Sequence, residues 1–307
     1  MVGQEHRGRD GTAECLARKL TWYHRSTKNV VAFHRFGAAA LLAPGLVVLG
    51  AFFVAPIAAL LALSFTANGG AEVNYSRFLS QPVYLQVLQR TLVMGAATAF
   101  ICLLLGYPVA YRLANAGPRG RALLLAFILI PFWTNLLVRS YGWLVLLNPK
   151  GILNRYLVDW GLVGEPLNLV HNSTGALIGM VQIMLPYLIL PLAATMMRVN
   201  AEQLRAARSL GARPLAVFLY VYFPLTLPGV MAGLVLVFTV SLGFFVIPAI
   251  LGGTRDIFLA QLIEFNINYS LNWGFAGALS LLLVATTLAL FWAGDRWFGL
   301  RAVWGVR

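Results

Sequence analysis

Two groups of side chains in this 307-residue chain have types and spacings that can do chemistry, and neither group suits bond cleavage. The first lies between Asn200 and Pro224. Glu202, Arg205 and Arg208 share one face of a predicted helix, while Leu204, Ala207 and Leu210 recur at three-residue spacing on another. Small alanines beside charges suit the close approach of a partner surface. The second group is aromatic and amide-bearing: Trp133, Asn135, Tyr141 and Trp143, with Gln182 and Tyr187 further on. Ring faces of this kind can hold ammonium groups by cation–π attraction, worth about 0.5–2 kcal/mol each. An interfacial aromatic belt is the competing explanation, and for Trp143 taken alone it is the stronger one.

Other chemistries lack their residues. No paired acids and no Ser/His or His/Asp cluster fall at one depth of the apolar segments, which disfavours a membrane-embedded enzyme. His6, His24, His34 and His171 are scattered without metal-ligand spacing, and Cys15 and Cys102 lie in a polar tail and an apolar block. No phosphate-cradling Gly-x4-Gly-Lys-Ser/Thr run is present, so the chain is expected to bind no cofactor and not to hydrolyse ATP itself. No Asp, Glu or Lys lies deep in an apolar block, which disfavours an ion-coupled secondary transporter.

The elements that must position these groups are membrane helices. The chain is 60% hydrophobic and 11% charged, with a mean hydropathy of +0.77. Its apolar blocks reach the roughly 20 residues that cross a bilayer. They predict spans over 38–65, 91–111, 122–138 with a break near Pro131, 174–197, 227–251 and 276–293. Pro186, Pro191 and Pro248 are expected to kink the later spans, and Gly229 and Gly233 to allow close packing. Residues 1–36 read as a basic cytoplasmic tail, 37–295 as the membrane domain and 296–307 as a short cytoplasmic tail.

The net charge of +13 fits topology better than nucleic acid, because the basic residues sit in loops. Lys and Arg number 7, 3, 4 and 3 in the tail, 112–121, 198–226 and the C-terminus, against 2, 3 and 1 in 66–90, 139–172 and 252–272. Both termini and the 198–226 loop are therefore expected in the cytoplasm.

That loop carries a helix plan of its own. Asn200 is placed to cap a helix start, with Gln203 at the reciprocal capping-box position. Gly211 is placed to end the helix in a left-handed turn, and Pro214 suits the first turn of the next one. The run Ala206-Ala207, three residues, Gly211, nine residues, Val221, one residue, Phe223-Pro224 resembles the cytoplasmic "EAA" loop of ABC importer permeases. The resemblance implies a coupling helix docked on a separate ATPase through Glu202, Arg205, Ala206, Ala207, Leu210, Gly211 and Pro224. Arg205 stands where that pattern has Glu, so either Glu202 takes over its pairing or the pairing has reversed sign.

A second resemblance narrows the branch. Pro131, Phe132, Trp133, Thr134, Val138, Arg139, Tyr141, Trp143, Gly151 and Asn154 match the pattern of spermidine/putrescine-type permeases. Asn272-Trp273-Gly274-Phe275 is similar to that branch's Asn-Trp-Pro-Phe, with Gly274 in place of Pro. The resemblance covers roughly 90–292. It implies an all-α, six-helix permease of the type I ABC importer fold in a bacterial inner membrane. The implied partners are an ABC ATPase dimer, a second homologous permease, a periplasmic substrate-binding protein and the lipid bilayer. The implied cargo is a polyamine, with opine, amino-acid-like or anionic solutes as alternatives, and the implied path runs past Trp133, Asn135, Tyr141, Trp143, Gln182 and Tyr187.

Overall fold

The structure is a computed structural model that describes residues 43–298 apart from positions 68 and 255. The expected tail at 1–36, the start of the first span and most of the C-terminal tail lie outside the described residues. The chain divides into two units at Leu60/Leu61, inside the first helix, α1 (Ala43–Thr66). Next come α2 (Gly70–Ser80), α3 (Pro82–Asn115), α4 (Pro118–Trp133), α5 (Leu136–Leu147) and α6 (Ile152–Asp159). They are followed by α7 (Ser173–Met196), α8 (Ala201–Ser209), α9 (Pro214–Leu242), α10 (Val246–Leu251), α11 (Leu259–Asn268) and α12 (Trp273–Phe298). Among the described residues every regular element is helical.

Five continuous helices are long and apolar enough to cross a membrane, and a sixth span forms if α4 and the helices after it count as one bent pair. The protein is a six-span all-α membrane protein on that count. The bend is 96° and falls at Thr134–Asn135. Pro131 supplies no backbone donor to the last turn of α4, and Thr134 closes that turn with its amide (3.2 Å) and hydroxyl (2.6 Å) on the Pro131 carbonyl. Asn135 then accepts from the Leu137 amide at 2.8 Å and starts α5.

Two other expected spans differ from the structure. The second is far longer than 91–111: α3 has 34 residues, about 51 Å at 1.5 Å per residue, and exceeds the ~30 Å hydrocarbon core. The expected fifth span at 227–251 is two helices, because α9 stops at Leu242 and α10 restarts at Val246. Pro248 explains the restart, since a helix running through it would drive its ring into the Phe244 carbonyl. Pro186 and Pro191, by contrast, sit inside an uninterrupted α7.

In two long helices the turn before an internal proline is widened. A π turn at Gly50–Val54 precedes Pro56 in α1, and another at Phe218–Tyr222 precedes Pro224 in α9. In the second, the Phe223 amide donates to the Phe218 carbonyl five residues back.

The core is made by α3, α7 and α9 packed along their lengths. Glycine makes the approach possible. Leu188 of α7 is fully buried between Gly106 of α3 and Gly233 of α9. A Cβ at Gly106 would lie 2.8 Å from the Leu188 side chain, and one at Gly233 would lie 3.1 Å from it. Gly229 meets Thr195 in the same way, so the predicted Gly229/Gly233 pair is the α9–α7 seam. Buried hydroxyls on α3 turn back to their own helix, Thr91 to the Val87 carbonyl and Thr98 to that of Met94, both at 2.8 Å. A second apolar cluster joins Phe78, Tyr84, Leu259, Phe275 and Leu279 at the other end of α3.

Candidate functional site

The 198–226 loop folds as its sequence dictates. Asn200 Oδ1 accepts from the Glu202 amide at 2.9 Å and opens α8. The expected return bond from Gln203 is not made; the Asn200 amide instead meets the Glu202 carboxylate at 3.3 Å. At the far end Gly211 has φ +83°, with its amide on the Arg208 carbonyl (2.9 Å) and the Ala212 amide on that of Ala207 (3.2 Å). This pair of bonds is a Schellman stop. Pro214 then begins α9, with Arg213 at the N-cap position but no side-chain cap bond.

The orientation of α8 sorts the predicted docking residues into two sets. Leu204 and Ala207 are half-buried, packed toward the π turn that α8 contacts. Glu202, Arg205, Ala206 and Gly211 are exposed. Leu210, expected to share the apolar face with Leu204 and Ala207, is instead 89% exposed, because it occupies the C-cap after helical phase is lost. Leu215 and Tyr220, which follow it, are also exposed apolar side chains, Tyr220 at 80%. Pro224 is exposed and lies within α9, just after the π turn.

Behind the loop stands an aromatic box that sequence reasoning passed over. Tyr107 and Tyr111 of α3 meet Phe218 and Tyr222 of the π turn edge-on, with Tyr107–Phe218 at 6.1 Å and Tyr111–Tyr222 at 5.4 Å between centroids. The Tyr107 hydroxyl also meets that of Thr226 at 3.1 Å. Two aromatic pairs at four-residue spacing, one at each helix end, are the signal that would have found it.

The predicted path residues gather in two places. Trp143 donates through Nε1 to Gln182 Oε1 at 3.3 Å, joining α5 to α7. Tyr187 meets Phe132 edge-on at 5.3 Å. Asn135 is taken up by capping, while the exposed Tyr141 and the 84% exposed Trp133 take no part in either pair. Arg139, expected in an external loop, sits instead on the inward stripe of α5 with Leu136, Trp143 and Leu147, and comes close to Tyr187. Its Nε is buried with no acceptor.

Other motif residues prove structural. Asn154 is fully buried; its amide nitrogen donates to the Asn148 (3.0 Å) and Leu167 (2.9 Å) carbonyls, and its oxygen accepts from the Leu167 amide (2.8 Å). Gly151 leaves no room for a Cβ beside the Val145 and Leu146 carbonyls. At Gly274, where the branch pattern has Pro, a Cβ would come within 3.0 Å of the Ala67 carbonyl.

Residues 102–297, from the middle of α3 to the end of α12, match the family model described as the binding-protein-dependent transport system inner membrane component. The chain belongs to that family. The permease is 37% identical over 249 residues to the spermidine/putrescine transport system permease protein PotB of Haemophilus influenzae, covering 78% of this chain and 87% of the relative. It is 34% identical to the protein of that name from Escherichia coli K12 over 257 residues, 82% of this chain and 91% of that one. Among solved structures the permease resembles a chain of a bacterial ABC transporter importing the acidic polysaccharide alginate, with a TM-score of 0.67 at 15% identity, covering 86% and 95% of the two chains. That likeness is one of fold. Members of the family are membrane channel subunits, and this permease is a multi-pass membrane protein of a bacterial importer.

Proposed function

We propose that this permease forms one half of the channel of an ABC importer that carries a polyamine such as spermidine or putrescine from periplasm to cytoplasm. One observation supports the cargo above all: 37% identity over 87% of the length of a spermidine/putrescine permease. The proposed assembly adds a second homologous permease, an ABC ATPase dimer and a periplasmic binding protein. ATP and its metal belong to the ATPase, and this chain performs no catalysis. The termini, the 1–36 tail and the 198–226 loop lie in the cytoplasm on this reading, in line with the Lys and Arg distribution.

The mechanism is a lever. The exposed face of α8, with Glu202, Arg205, Ala206 and the exposed Leu210, sits in a groove of the ATPase. Closure of the ATPase pair on ATP pushes α8, and α8 is short, capped at both ends and packed on the π turn of α9. The aromatic box passes the push to α3, so α3 and α9 swing together and open the path to the binding protein.

A second reading of the cargo has its own support. An inward arginine with an unpartnered buried Nε suits an anionic group better than a polyamine. A 31% identical relative covering 69% of this chain is the molybdenum transport system permease protein ModB of Mycobacterium bovis. Uptake by the whole transporter in proteoliposomes, with and without ATP, decides between them. Competition by spermidine or putrescine supports the first reading, and competition by oxyanions alone overturns it. A reporter active only in the periplasm should work when fused after Gly161 and be silent after Arg213; the reverse pattern overturns the orientation.

A further inference from the structure

We propose that the cavity beside the end of α9 is a second, low-affinity site for a primary ammonium group, with Glu264 as its anion. The cavity holds about 350 Å³ and lies under the α9–α10 break at Gly243, at the end of α9 opposite the α8 loop. Its walls are Phe245, Ile263, Ile267 and Leu283, with Glu264 and Asn268 as the polar groups. This is a lining for an alkylammonium ion: methylenes against the aliphatic wall, an aromatic ring for the cation, and one carboxylate.

Three observations converge on a cation. First, Glu264 is half-buried and its carboxylate bonds only a neutral group, the Asn268 amide, at 2.9 Å. Among the described residues no cation pairs with it. Asp256, in the segment before α11, is different, because it is paired with Arg90 at 3.8 Å and accepts from the Ser173 hydroxyl at 2.5 Å. An apolar surround strengthens the attraction of an uncompensated carboxylate for a positive charge. Second, α9 ends at the cavity, so the carbonyl end of a long helix adds partial negative charge there. Third, Phe245 lines the cavity and is 41% exposed, so an aromatic ring stands beside a bound ammonium group. The site differs from the Trp143/Gln182 and Phe132/Tyr187 clusters and shares no residue with them. With the α8 loop in the cytoplasm, as proposed, the site lies toward the periplasmic end of α9, where it would hold the amine before translocation.

The proposal rests on the amine-cargo reading only for the physiological identity of its ligand, so it is tested by chemistry at the residue. The full-length chain in lipid nanodiscs is treated with a water-soluble carbodiimide and either 1,4-diaminobutane or methoxyamine, which is uncharged at the reaction pH. Amide adducts are then located by mass spectrometry. A bound dication should raise the diaminobutane-to-methoxyamine ratio at Glu264 about fivefold or more above that at Asp159 and Glu165. Phe245→Ala should bring the ratio back toward those controls. Equal ratios at all three acids, or a Glu264 that takes neither amine, overturn the site. If the whole transporter imports no polyamine while Glu264 keeps its preference, the cargo reading fails and the site stands.

Discussion

Tyr111 and Tyr222 meet edge to face with their ring centroids 5.4 Å apart, and this contact ties the end of α3 to the π turn on which α8 rests. Its partners are Tyr107 against Phe218 and the Tyr107–Thr226 hydroxyl bond. The box is therefore the mechanical joint between an exposed capped helix and the two core helices that line up behind it. Aromatic pairs of this kind contribute about 0.5–1.5 kcal/mol beyond the area they bury.

Removing the joint should uncouple the machine before it unfolds it. Tyr111→Ala should lower the melting temperature of the purified permease by several degrees, since the ring-pair share of about 1 kcal/mol adds to the lost burial of a ring that is already 40% exposed. ATP hydrolysis by the assembled transporter should continue while uptake per ATP falls severalfold. An unchanged ratio of uptake to hydrolysis would mean that the push does not travel through the box.

Gly211 tests the loop backbone separately from its surface. Its φ of +83° is costly for any residue with a Cβ, yet a Cβ there would touch nothing within 4 Å. The penalty is therefore conformational alone, about 1 kcal/mol for Gly211→Ala and about 1–2 kcal/mol for the β-branched Gly211→Val. Both variants should insert normally. Val should co-purify with the ATPase more poorly than Ala, and equal recovery of the ATPase with wild type and both variants would sink the account.

What is legible in the sequence follows the range of the interactions involved. Asn200, Gly211 and Pro214 can be read directly because a cap, a left-handed stop and a first-turn proline depend on residues within about five positions. The Gly229/Gly233 seam is legible although its partners Thr195 and Leu188 are far away in sequence, because the small-xxx-small spacing that permits close packing is itself local. Arg139 is not, because whether α5 turns inward depends on the 96° bend at Thr134–Asn135 and on Tyr187, far away in sequence. The split of the expected fifth span is likewise hidden by high hydrophobicity from Leu227 to Leu251, in which Gly243 and Pro248 at the break do not stand out from Pro228, Gly229, Gly233, Thr239 and Ser241 before it. Leu210 misleads because periodicity carries it onto the inner face while the cap has already turned the chain outward.

Asn154 is predicted to be a folding residue although it belongs to the branch motif. Its side chain satisfies three backbone groups around the 148–167 segment from a fully buried position. Asn154→Ala leaves those groups unpaired and should cost about 2–3 kcal/mol. Limited proteolysis should then cut between Trp160 and Leu167 faster than in wild type, and Asn154→Asp should rescue only in part, since it keeps the acceptor and loses the donor. Wild-type protection in Asn154→Ala would assign the residue to cargo contact instead.

The two alanines of the loop motif should behave differently, because the structure exposes Ala206 and half-buries Ala207. Ala206→Trp adds bulk to the face proposed to enter the ATPase groove and touches nothing of the permease. Its melting temperature should match wild type, while ATPase co-purification and ATP-driven uptake should both be lost. Ala207→Trp drives an indole into the contact between α8 and the π turn, and overpacking of that kind costs about 1–3 kcal/mol. Its defect should therefore appear first in the isolated permease, as a lowered melting temperature, and only then in docking. Arg205→Glu supplies the third measurement. Two acids three residues apart on an exposed helix repel by only about 0.2–0.5 kcal/mol, so a second carboxylate one turn after Glu202 leaves the fold intact. Any loss of coupling in Arg205→Glu is then a charge effect at the partner surface, rescued by a reversed charge on the ATPase. If Ala206→Trp binds the ATPase and transports at the wild-type rate, the exposed face of α8 is not where the ATPase sits, and the lever begins elsewhere.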